Sequence, residues 1–152
     1  MTDPKQKRLD LLCRLREMSV EQARADHVAA QTELEQRREK AEDTERRIKA
    51  LDEWSIEQLS GGAPLVPELL RQAQLFRGVE KSALDTQRNE EASQREVTEA
   101  VRGELTARFE ELSVVERLTV RHVKAATDTQ IRRGFVDLDE AGVLAKNLES
   151  KE

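Results

Sequence analysis

Residues 60–67 read Ser-Gly-Gly-Ala-Pro-Leu-Val-Pro, and this stretch decides the fold. It is the one clear turn signal in the chain, because glycine frees the backbone and proline removes a helix donor. Before it, Lys5 to Leu59 contains neither Gly nor Pro. After it, Glu68 to Arg133 contains no Pro, and its isolated Gly78 and Gly103 each cost a helix about 1 kcal/mol relative to Ala. Two long uninterrupted segments around one turn predict two long helices.

Composition narrows the ways such helices can pack. Charged residues make up 38% of the 152 positions and aromatics only 3%. Too few bulky apolar side chains are present for a thick core, but good helix formers abound. Order then requires a narrow apolar stripe on each helix. In the first segment a 3-4 frame reads Leu9, Cys13, Arg16, Val20, Ala23, His27, Ala30, Leu34, Arg37, Ala41, Thr44, Ile48, Leu51, Ser55. In the second a frame reads Leu69, Gln72, Phe76, Val79, Ala83, Thr86, Glu90, Ser93, Val97, Ala100, Glu104, Ala107, Glu111, Val114, Leu118. Folding the chain about Gly62–Ala63 pairs positions that sum to about 125–126, so that apolar faces apolar and the polar stretches Glu33–Arg47 and Thr86–Glu99 face each other.

The expected architecture is therefore all-α, an antiparallel coiled-coil hairpin forming one domain. Its parts are a helix over 4–59, a turn over 60–67, a helix over 68–133 and a tail over 134–152. Thr2 or Asp3 caps the first helix ahead of Pro4. Arg132, Arg133 and Gly134 resemble a helix terminus, followed by a short helix or a frayed tail. Each arm would run roughly 80 Å at 1.5 Å per residue, and residues beyond Leu118 would overhang the start of the first helix.

Several function classes are excluded on this reading. No CxxC, HExxH or phosphate-binding loop occurs, and His27 and His122 lie far apart. No catalytic, metal-ligating or cofactor-binding residue is identified, and the chain reads as a non-enzyme. The net charge of −5 and the scarcity of aromatics argue against nucleic acid. The single cysteine, Cys13, and the lack of a long apolar run fit a cytoplasmic protein with no membrane insertion. Three features remain. Trp54 is the sole Trp. Leu65–Leu84 is the most apolar stretch. Basic residues cluster at the two segment termini that the hairpin brings together, namely Lys5, Lys7, Arg8, Arg14 and Arg16 with Arg117, Arg121, Lys124, Arg132 and Arg133.

The segments LDEWSIEQL at 51–59 and ELLRQAQLFRGVEKSALDTQ at 68–87, with Val79-Glu80-Lys81-Ser82 as their core, resemble the FliJ/SctO family. These are small stalk proteins of flagellar and type III secretion export machines. The resemblance implies a fold like the coiled coil of the rotary-ATPase gamma subunit. It implies that the terminal helices sit in a hexameric export ATPase, with Arg8, Arg14, Arg16, Arg117, Arg121, Lys124, Arg132 and Arg133 as contacts. It implies that Leu51, Trp54, Leu75, Val79, Ser82 and Thr86 meet the cytoplasmic domain of the export gate protein, peripheral to the inner membrane. Gln58 and Leu75 stand where flagellar members carry further aromatics, a departure that leans toward the virulence-type branch. Binding of secretion chaperones is also implied, with no residue assigned. A stalk of this kind is expected to be monomeric when free. The competing reading is a structural adaptor that dimerises through Leu105, Phe109 and Leu112.

Overall fold

The computed structural model describes residues 3–150. It contains two helices and, among the described residues, no strand: α1, Pro4–Ser60, and α2, Pro67–Glu149. The two pack against each other antiparallel, as a helical hairpin. Asp3 supplies the N-cap of α1, its Oδ1 accepting from the Lys5 amide at 3.0 Å. Pro4 and Pro67 occupy first-turn positions, where no N–H is needed. After α1, the Gly61 amide donates to the Glu57 carbonyl at 2.8 Å. A side chain at Gly61 would place its Cβ 2.8 Å from that same oxygen, so the close approach excludes larger residues.

The chain divides into two compact units. One spans Gln22–Thr106, and the other combines the chain up to Glu21 with the chain from Ala107 on.

In the unit 22–106, the α1 side of the seam follows the expected frame. Ala23, Ala30, Ala41 and Thr44 are buried, and His27, Leu34, Arg37, Ile48, Leu51 and Ser55 are half-buried. The α2 side does not follow it. Most of the expected positions, among them Phe76, Val79 and Val97, are exposed. The seam runs one residue later, through Leu70, Ala73, Arg77, Glu80, Leu84, Gln87, Glu91, Gln94, Thr98, Val101 and Leu105. Polar reach explains the choice. Two neighbouring frames carry comparable apolar content, but the side chains of the later one bond across to α1. Gln94 Nε2 and Thr98 Oγ1 both reach the Ala30 carbonyl, at 3.3 and 3.2 Å. Arg77 forks onto Asp52, and Glu80 accepts from Arg47 at 3.1 Å. Glu91, almost buried, takes Arg88 at 2.8 Å and Arg95 at 3.1 Å, while Arg88 also reaches Glu45 at 2.8 Å. Charges withdrawn from water in this way must be paired to be tolerated.

In the other unit, Val20 and Val115 are the buried apolar side chains. Fully burying a valine contributes about 1.5–3 kcal/mol, so this seam is thin. Leu9, Cys13 and Arg16 on α1 meet a face of α2 that carries Arg108, Leu112, Val115, Thr119 and His122. Arg16 pairs with Glu111 at 2.6 Å, and Cys13 Sγ shares a hydrogen bond with Thr119 Oγ1 at 3.5 Å. Arg16–Glu111 here and Arg47–Glu80 in the other unit both join positions summing to 127, slightly beyond the expected register. His122 Nε2 lies 2.8 Å from Asp3 Oδ2 and closes the seam.

Two expectations are corrected. α2 does not end at Arg133: it continues through Gly134, which has no positive φ, to Glu149. A single helical glycine costs only about 1 kcal/mol, too little by itself to end a helix. The proposed dimer stripe is also not presented. Leu105 and Leu112 turn into the seam, leaving Phe109 at 40% exposure.

The close helix approach at Ala41, which is fully buried, gives a direct test. Ala41→Leu should overpack the seam and lower stability by about 1–3 kcal/mol, while Ala50→Leu on the exposed face should change it little. Thermal melts followed by circular dichroism measure both. A second test concerns the cap. The Lys5 amide, and behind it His122, hold the Asp3 carboxyl below its ordinary range against a smaller desolvation effect. The folded pKa is the lower one, so the cap is complete above the ordinary value of about 3.9 and is lost as pH falls through the folded value. Amide exchange at Lys5 should rise relative to its intrinsic rate over that acid range. In Asp3→Asn the pH dependence should vanish.

Candidate functional site

Two surfaces carry the side chains singled out in the sequence, one in each unit. In the unit 22–106 the surface lies around the turn. Leu51 is on the α1 seam and half-buried, with half-buried Trp54 beside it. Leu75, Val79, Ser82 and Thr86 are all exposed on α2. Their 4-3-4 spacing aligns them on one face, two residues and about 200° beyond the seam positions Ala73, Arg77, Glu80 and Leu84. The six expected contact residues therefore split between the α1 seam and the outer face of α2. Thr86 spends its hydroxyl on the Ser82 carbonyl at 3.2 Å.

Around them Leu65, Val66, Leu69 and Phe76 of the apolar stretch 65–84 are 45–51% exposed, and Ile56 and Leu59 of α1, 64% and 66% exposed, widen the surface beyond that stretch. Ile56 and Leu59 escaped notice because they fall off the Leu51–Ser55 frame. That displacement was the available signal, since an apolar residue off the seam of a narrow hairpin has nothing to cover it. Beneath the patch, Arg77 donates to both Asp52 oxygens, and this pairing raises the Arg77 pKa.

In the other unit the basic residues separate by role. Arg16 is drawn into the seam by Glu111 and is only partly exposed. Arg8, Arg14, Arg117, Arg121, Lys124, Arg132 and Arg133 are exposed. Arg121 borders two shallow grooves. One, about 360 Å³, is lined by Lys5, Leu9, Leu118, His122 and Ala125, and the other, about 170 Å³, by Val114, Arg117 and Leu118. Leu11, Leu12, Leu15 and Met18 add exposed apolar surface on α1. Cation and hydrocarbon alternate here, a combination suited to a protein partner with acidic and apolar features.

A wider groove, about 770 Å³, lies elsewhere, between His27, Gln31, Leu34, Thr98, Glu99 and Arg102. It is open, and its lining mixes polar and apolar atoms about equally. Among the described residues no group of three or more His, Cys, Asp or Glu side chains is placed to hold a metal ion. No helix among them is long and apolar enough to cross a membrane.

Neither the curated proteins nor the solved structures compared with this sequence include a match. A family model does match, that of the flagellar FliJ protein, over residues 5–148. The match takes in both helices, the turn and nearly all of the α2 extension. The chain belongs to the FliJ family, non-enzymatic components of the flagellar and type III export apparatus.

Proposed function

We propose that this protein is the stalk of a type III export apparatus. Its terminal helices enter the central opening of a hexameric export ATPase, and the surface around the turn contacts the cytoplasmic domain of the export gate protein. The reading places it in the cytoplasm, peripheral to the inner membrane. One observation supports it above the others. α2 runs on past the last α1 contact as a single helix, exposed on every side and flanked by Arg117, Arg121, Lys124, Arg132 and Arg133. A lone helix of this kind calls for a surrounding wall. Arg16 is excluded from the contact set, because it fastens α1 to Glu111. The gate contact rests on Leu75 and Val79, 65% and 66% exposed, with Leu69 and Phe76 beside them. Secretion chaperones are further partners implied by the family resemblance, with no residue assigned to them.

The mechanism follows from symmetry. Six equivalent ring sites surround one shaft whose faces differ, so the shaft cannot bind all six alike. A ligand shifts a conformational equilibrium by its differential affinity. Unequal contacts would hold the sites in unlike states and couple their turnover to the gate. The matched family model is flagellar, whereas Gln58 and Leu75 lean to the virulence-type branch. Both branches share the proposed arrangement.

Adding the protein to a purified hexameric export ATPase should promote hexamer formation and raise turnover. The triple variant Arg117→Glu, Arg121→Glu, Lys124→Glu should weaken that response roughly tenfold or more. Leu75→Asp with Val79→Asp should leave it intact and abolish binding to the isolated gate domain. If the wild-type chain alters neither assembly nor turnover, the stalk reading is wrong.

A further inference from the structure

Past the Asp3–His122 contact, residues 123–148 of α2 are exposed throughout. This extension is not polar all round. Val120, Val123, Thr127, Ile131, Gly134, Leu138, Ala141, Ala145 and Leu148 recur at spacings of three or four, with one doubled step of four between Val123 and Ile131. From Thr127 to Leu148 the alternation is regular, a heptad stripe of three repeats. It does not continue the seam. The seam positions Thr119 and His122 extend at the same spacing to Ala126, Thr129, Arg133, Val136, Glu140 and Val143, a face on which apolar, polar and charged residues mix. The stripe begins one residue later, at Val120 and Val123, about 100° around the helix. A longer α1 would not bury it. Val120, Ile131, Leu138 and Leu148 stand 53–71% exposed.

The charges along the extension indicate what covers it. Residues 121–133 carry Arg121, Lys124, Arg132 and Arg133 against Asp128. Residues 137–148 carry Asp137, Asp139 and Glu140 against Lys146. The first half is basic and the second acidic. Two copies laid parallel would set like charge beside like charge, which is unfavourable in helix pairs. Two copies laid antiparallel would set each basic half beside the other's acidic half, and the stripe would face itself about Gly134 and Phe135. Gly134, with no side chain, permits close helix approach at that centre.

We propose that the free protein forms a reversible antiparallel dimer through residues 120–148 of α2. The pairing departs from the monomer expected of a free stalk and does not depend on the stalk assignment. Where a ring partner exists, the two uses of Arg132 and Arg133 exclude each other, and the dimer would hold the extension covered until the ring replaces it.

Sedimentation equilibrium of the full chain at micromolar concentrations tests this. A monomer–dimer equilibrium that weakens with salt is expected. Leu138→Asp should raise the dissociation constant at least tenfold. Arg132→Glu with Arg133→Glu, and Asp137→Lys with Asp139→Lys, should each give monomers, and mixing the two variants should restore a heterodimer. That restoration shows that loss in the single variants is not unfolding. With Cys13→Ser as background, Val123→Cys and Ala145→Cys should cross-link to each other and neither to itself. A wild-type monomer throughout, a dimer indifferent to Leu138→Asp, failure of the mixture, or self-cross-linking at Val123→Cys would each overturn the proposal. A monomeric result leaves the stalk reading standing, and a silent ATPase assay leaves the dimer standing.

Discussion

The Ala30 carbonyl, already positioned to serve its own helix, also receives Gln94 and Thr98 from α2. Contacts of this kind fix how the two helices meet. Among the described residues the buried apolar side chains are Val20, Ala23, Ala30, Ala41 and Val115, none of them large. Small residues let the backbones approach, and close approach brings a threonine or glutamine within reach of the opposing main chain. The apolar contribution is too small to distinguish one heptad frame from its neighbour. Directional bonds distinguish them, because a rotation of α2 by one residue would leave Gln94, Thr98, Arg77 and Glu80 without their partners across the seam. A buried polar group that loses its partner costs about 1–3 kcal/mol, comparable to the apolar terms available here.

A seam this narrow leaves most large apolar side chains outside. Around the turn the uncovered residues include Ile56, Leu59, Leu69, Leu75, Phe76 and Val79, and along the α2 extension Ile131, Phe135 and Leu138. In a protein with a thick core these would be interior. Here they are available to partners, and that availability underlies both the stalk reading and the self-pairing of the extension. The same economy leaves the grooves described above open, so function is sought in surface chemistry.

Much of this was legible in the sequence. Residues 60–67 located the turn, and the α1 frame from Leu9 to Ser55 coincides with the observed buried face, because its alanines and aliphatics alternate with strongly polar neighbours. α2 was harder to read. Phe76, Val79, Val97, Val114 and Leu118 drew the frame one residue early, since hydropathy ranks them above Gln94, Thr98 and Glu91. Hydropathy does not register which polar side chains have an acceptor opposite. Gly134 suggested a terminus on local grounds and proved to be internal to α2. Of the residues expected to contact partners, Leu75, Val79 and most of the basic set are exposed, while Leu51 and Arg16 serve the seam. That distinction depends on the partner helix and is not written in either segment alone.

The central claim is that polar contacts set the frame of α2, and cysteine pairing in the 22–106 unit tests it directly. In a Cys13→Ser background, Ala30→Cys combined with Thr98→Cys should form a disulfide under mild oxidation, since these residues face each other across the seam. Ala30→Cys combined with Val97→Cys should not, because Val97 lies about 100° away on the exposed face. Efficient cross-linking of 30 to 97 with none of 30 to 98 would contradict the account and restore the earlier frame.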